Sequence, residues 1–171
     1  MPEIATTLST PRSLKAEHKE LHQELAAATG LPGRLGESAR TVAVVLEPHF
    51  VKEEEFALPP LSALGDLALG KIPDRLEKVR AMAGRLEMEL GGMAEEHRAI
   101  VSALERLAEV AREEGRVDLV RFVEKLKHHA ALEEEVLYPA AVLVGKYLEL
   151  IFAREMPTGN RTPRADMDVQ C

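Results

Sequence analysis

The sequence predicts an all-α fold: an up-down four-helix bundle with an additional C-terminal helix. Three observations point there. Apolar residues recur at alternating steps of three and four along four stretches of chain, the period of one helix face. Ala, Leu, Val, Glu, Lys and Arg dominate while aromatics make up 4% and Trp is absent, a balance typical of helical proteins. The chain also repeats itself. His49-Phe-Val-Lys-Glu53-Glu-Glu-Phe-Ala-Leu-Pro59 is answered 80 residues later by His129-Ala-Ala-Leu-Glu133-Glu-Glu-Val-Leu-Tyr-Pro139.

The first helix is expected to open at Pro11, a favoured first helical residue, and to stop at Gly30 ahead of Pro32-Gly33. Its stripe is Leu14, His18, Leu21, Leu25, Ala28, so His18 takes a core position. The second runs from about Arg34 to Leu58 and ends at Pro59-Pro60, with Val42, Val45/Leu46, His49, Glu53 and Phe56 on one face. Pro48 inside it removes one backbone hydrogen bond and should bend it just before His49. Residues 61–72 read as a mixed connection with room for one short helical turn.

Pro73 opens the third helix, whose stripe runs Leu76, Val79, Ala83, Leu86, Leu90, Met93, His97, Ile100, Leu104, Leu107, Ala111. The phase is unbroken across Gly91-Gly92, so this helix should continue to Gly115. The fourth carries Leu119, Phe122, Leu126, His129, Glu133 and Val136. The same phase extends past Pro139 through Ala140, Leu143, Tyr147 and Leu150. On that phase Tyr138, five residues after Glu133, points away from the site face. Residues 156–171 lack a stripe and read as a flexible tail.

The third helix would be about 42 residues, or ~63 Å, far longer than the first two. The surplus segments 73–90 and 139–154 should therefore pair as an antiparallel hairpin beyond the bundle, all within one domain, 1–155. Its apolar faces offer a surface for a homodimer.

At 171 residues the chain suits one domain with a full core. A net charge of −7 without a long basic cluster argues against nucleic acid as a partner. The single cysteine, Cys171, excludes an internal disulfide. The N-terminus lacks a signal pattern. Val136–Phe152 is interrupted by Lys146 and Glu149 and is short for a span of ~20 residues. A cytoplasmic protein without a membrane partner is the expectation.

Four predicted helices each place a histidine in the apolar stripe, and two add a glutamate one turn after it. A buried carboxylate needs a partner, and no Lys or Arg shares these stripes. A cation answers that need. Imidazole with carboxylate, and no thiolate, suits Fe, Mn or Zn. Two facing helical glutamates can bridge two metals, as in carboxylate-bridged di-iron bundles. Each metal would receive two histidines and one oxygen from each glutamate. An open position would remain for dioxygen, peroxide or nitric oxide.

Taken together, the chain resembles the hemerythrin-like (HHE cation-binding) family. The likeness rests on the Glu-His pairs at His18 and His97, on His49-x-x-x-Glu53 and His129-x-x-x-Glu133, and on the trailing Pro59 and Tyr138-Pro139. It spans about residues 11–140. The resemblance implies a four-helix bundle around two iron ions with an oxo or hydroxo bridge, manganese or zinc being the alternatives. The metal ligands would be His18, His49, Glu53, His97, His129 and Glu133. Members with five histidines carry two on one helix as His-x-x-x-His. His18-x-x-x-His22 resembles that pair and adds His22 to the set, although its counterpart in the second half is Val101. His128 lies one position off the stripe and only flanks the site. Glu54, Glu55, Glu134 and Glu135 face solvent or touch a ligand imidazole. Oxygen carriers of the family usually have Asp where this chain has Glu134, which separates it from simple oxygen carriage. The functional expectation is a di-iron protein that binds or senses dioxygen or a related small ligand. The alternatives are a di-iron oxidoreductase acting on hydrogen peroxide or nitric oxide, and an iron-responsive interaction module.

Overall fold

A computed structural model of the protein describes residues 8–72 and 75–155. Pro73 and the expected tail 156–171 lie outside them. The described residues contain no strand. The helices are α1 (Arg12–Thr29), α2 (Gly33–Lys52), a short α3 (Leu64–Ala68), α4 (Leu76–Glu113), α5 (Val117–Leu132) and α6 (Tyr138–Glu155). α2 accommodates Pro48, and α4 runs through Gly91-Gly92 as one helix. A 3-10 turn at Pro59–Ala63 precedes α3, so the mixed connection does carry short helical turns.

α1 packs on α2, α2 on α4, α4 on α5, and α5 returns to α1, which closes a four-helix ring. The stripes drive this closure. Leu21 and Leu25 of α1, Leu46 of α2, Leu104 and Leu107 of α4, and Phe122 and Leu126 of α5 form one buried core. A second apolar body lies beyond it, where Leu86 and Met93 of α4 meet Tyr138 and Ala141 of α6 together with Phe56, Leu58 and Leu61. Val79, Val144, Leu148 and Ala63 continue it. The N-terminal half of α4 and α6 therefore form the antiparallel hairpin expected from the helix lengths, and residues 56–63 pack against it. The helices approach closely at Gly145, where a Cβ would stand 2.6 Å from that of Ala83.

One expectation is overturned. The phase of the fourth helix does not persist beyond Glu133. The buried side chains of α6 are those of Tyr138, Ala141, Val144 and Leu148, whereas Val136, Leu143, Tyr147 and Leu150 face solvent. The cause is a π-turn at Glu133–Leu137, matched by another at Glu53–Ala57. In each, the backbone N–H five residues on (Leu58, Tyr138) donates to the glutamate carbonyl. Each turn is followed at two residues by a proline, Pro59 or Pro139. Proline has no N–H and its ring collides with the carbonyl four residues earlier, a conflict that the wider turn relieves. A π-turn adds one residue to the helix, so every later side chain is displaced by about 100°. By length and composition, the rod 117–154 could cross a bilayer. In this fold its buried side chains are taken up by α1, α2 and α4 along α5, and by α4 and Pro59–Ala63 along α6.

Candidate metal centre

Six of the seven expected ligands meet in the layer between the two apolar bodies. His18, His49, Glu53, His97, His129 and Glu133 are each no more than 3% exposed. They come from α1, α2, α4 and α5, with both glutamates opening a π-turn. His49, Glu53, His97 and Glu133 form one group; His18, His129 and Glu133 form another. Within each group the ligand atoms lie within 4.8 Å of one another.

Glu133 joins the groups. Its Oε1 is 2.9 Å from His129 Nε2 and 3.5 Å from His18 Nε2, and its Oε2 is 3.4 Å from His97 Nε2. Glu53 reaches both sides as well, with Oε1 3.2 Å from His49 Nε2 and Oε2 3.7 Å from His18 Nε2. The imidazoles pair tip to tip. His49 and His97 bring their Nε2 atoms to 2.8 Å, and His18 and His129 to 3.0 Å. Nitrogen ligands at ~2.1 Å from one ion stand about 3 Å apart.

The donor set fits a cation. Glu53 Oε2 and Glu133 Oε1 are buried and accept no hydrogen bond. In each tip-to-tip pair only one nitrogen can donate. Lone pairs thus converge where the protein supplies too few donors.

The Nδ1 sides of the rings follow a rule that repeats in both halves. His49 Nδ1 is 2.8 Å from Glu96, and His97 Nδ1 is 2.8 Å from Glu134. His129 Nδ1 lies 3.3 Å from Glu17 and His18 Nδ1 lies 3.9 Å from Glu54. Each lone histidine is preceded by a glutamate that serves the His-x-x-x-Glu histidine of another helix. Each ligand glutamate is followed by one that serves a lone histidine. At His49 and His97 the hydrogen-bonded carboxylate fixes the tautomer and leaves Nε2 free to coordinate, whereas His18 and His129 have their glutamate near Nδ1 without a hydrogen bond. Lys52 in turn holds Glu96. The sequence carries this signal as Glu-His and Glu-Glu pairs at matching places; reading Glu54, Glu55, Glu134 and Glu135 toward the imidazoles leaves out Glu17 and Glu96, which stand behind His129 and His49.

The structure corrects the reading of Tyr138. Its side chain is buried, its hydroxyl donates to Glu53 Oε1, and it stands 3.4 Å from His49 Nε2 and 3.5 Å from His97 Nε2. In an α-helix, five residues from Glu133 would point elsewhere. The intervening π-turn brings residues 133 and 138 to the same face. Burial and the nearby Glu53 and Glu133 push the phenol far above its ordinary pKa and hold it protonated.

His22 is not brought into either group. It is half-buried, and its ring lies on Phe50 with centroids 4.7 Å apart. Phe50 separately stacks on His18 at 4.5 Å.

The titratable groups respond to one another. Burial and repulsion from Glu133 raise the pKa of Glu53. Burial also opposes ionisation of Glu133, but the facing imidazoles of His129, His18 and His97 outweigh it and hold this carboxyl well below its usual range. His49 and His129 are desolvated, yet Glu53 with Glu96, and Glu133 with Glu17, raise them above 6.5.

The family model described as Hemerythrin HHE cation binding domain matches residues 10–141. The chain belongs to this family. The match covers both His-x-x-x-Glu elements, both lone histidines and Tyr138, so the HHE domain contains the entire buried His/Glu layer. Comparison with curated proteins and with solved structures gives no match. Within the HHE domain, the two groups have the donors to hold a metal cation.

Proposed function

We propose that this HHE domain holds two iron ions and binds or senses dioxygen or a related small ligand beside them. The observation that carries the reading is the placement of Glu133, whose two oxygens face different histidine pairs, with Glu53 spanning the same gap. Two facing carboxylates with paired imidazoles suit a dinuclear site in a helix bundle. His49 and His97 would hold one ion and His18 and His129 the other, each sharing Glu53 and Glu133. Iron bound there supplies one-electron and dioxygen chemistry that the side chains lack. The chain's own part is positional. Carboxylates behind the rings of His49 and His97 keep Nε2 pointed inward, Leu58, Phe56 and Met93 belong to the neighbouring apolar body, and Tyr138 holds a proton at Glu53 Oε1.

Metal analysis of the protein, of H49A and of E133A tests this. The expected result is about two iron ions per chain, falling sharply in both variants. Full iron retention in both, or zinc alone in the unaltered protein, would overturn it.

Tyr138 favours a second reading, a di-iron oxidoreductase acting on hydrogen peroxide or nitric oxide, because it places a buried proton donor against the ligand atoms. Rapid oxygen evolution from hydrogen peroxide that is lost in Y138F would establish this reading over the first.

A further inference from the structure

The internal repeat is nearly symmetric in its ligands and asymmetric in what surrounds them. An offset of 79 relates His18 to His97 and His22 to Val101. An offset of 80 relates Phe50 to Ala130 and Glu54 to Glu134. In the first half, Phe50 is 2% exposed, stacks on His18 at 4.5 Å, and is covered by His22 at 4.7 Å. Two rings thus close that flank of the site.

In the second half both rings are replaced by small aliphatic residues. A surface groove of about 350 Å³ lies there, with His97, Val101, Ala130 and Ala131 along it and Arg98, Ser102, Glu105, Lys127 and Glu134 around its border. The corresponding hollow on the first half is larger, about 560 Å³, but it is bordered by Lys15, Lys19, His22, Gln23, Ala26 and Glu54 and does not reach His18. Of the two matching grooves, only the one between α4 and α5 touches a residue of the metal centre.

We infer that small neutral molecules reach the centre through this α4–α5 groove, over His97, and that His22 and Phe50 seal the equivalent route on the other side. The walls formed by Val101, Ala130 and Ala131 suit a gas-sized apolar or weakly polar ligand. The border sets Arg98 and Lys127 against Glu105 and Glu134, so it carries no net charge that would draw in an ion. His22 is then a plug rather than a ligand. The inference rests on the proposed small-ligand function for its purpose, but the groove can be probed without it.

Ala130→Phe restores in the second half the ring that the first half has, and Val101→Phe fills the same space from α4. Xenon, which enters apolar cavities, should occupy the groove in crystals of the unaltered protein and be absent from both variants. In the iron-loaded, reduced protein, nitric oxide should associate about tenfold more slowly in each variant, with iron content unchanged. Val101 is only partly buried, so V101F carries the test where A130F fails to fold. Unchanged association in a folded, iron-loaded variant, or xenon seated on the His22 side instead, would overturn the inference. Loss of iron binding in the unaltered protein would sink the proposed function and leave the xenon result to decide the groove.

Discussion

Replacing Tyr138 by Phe removes one oxygen atom and nothing else, and the structure places that oxygen on Glu53. The hydroxyl is buried and bonded to a carboxylate that is 0% exposed. Glu53 Oε2 already lacks a donor, so the loss at Oε1 cannot be made good by rearrangement. A hydrogen bond to a charged or ionisable group contributes roughly 1.5–3 kcal/mol. For a chain of this size each kcal/mol moves the melting temperature by about 2–4 °C. Metal-free Y138F should therefore melt about 3–12 °C below the unaltered protein, followed by far-UV circular dichroism with chelator present. Tyr147, which faces solvent, is the control, and Y147F should leave the melt in place. A Y138F melt that coincides with the unaltered one would show that the π-turn does not bring residue 138 to the site.

The carboxylates behind the imidazoles make a second prediction. E96Q weakens the anchor of His49 without touching a ligand atom, and metal affinity measured by competition with a chelator should fall roughly 10- to 100-fold; H22A should leave it unchanged. pH acts with opposite sign on the two forms. His49 and His129 have folded pKa values above 6.5, so their contribution to metal-free stability is full below 6.5 and is lost as pH rises through the raised values. Metal binding needs the same imidazoles neutral and should strengthen over that interval. Urea denaturation with and without metal at several pH values checks both slopes, and parallel slopes would contradict the reading. At the hairpin, G145A forces a Cβ against Ala83 and should cost about 1–3 kcal/mol in the same denaturation assay.

Much of this architecture is legible in the sequence. The helical phase placed His18, His49, Glu53, His97, His129 and Glu133 on core faces, and all six are buried together. The uneven helix lengths foretold the pairing of α4 with α6. What escaped was local, and most of it had one origin. The proline that ends each repeat acts backward on the preceding turn and widens it. A wheel drawn at a constant angle per residue cannot register that. It therefore buried Leu143 and Leu150 and turned Tyr138 outward, each one residue out of step. His22 misled for a different reason. A spacing of one turn places two histidines near each other but does not fix what fills the space between them, and here that is Phe50.

The position of the His/Glu layer between two apolar bodies has a mechanical reading. α2 with its π-turn, α4, and the α5–α6 rod pass through both bodies, and at the crossing the contacts change from hydrocarbon to ionisable groups. Hydrocarbon contacts are indifferent to solution conditions over a wide range, while this layer answers to protons and cations. The molecule thus resembles two stiff segments joined by a chemically adjustable coupling. Its tightness sets whether the ring of helices and the hairpin open as one cooperative unit or as two.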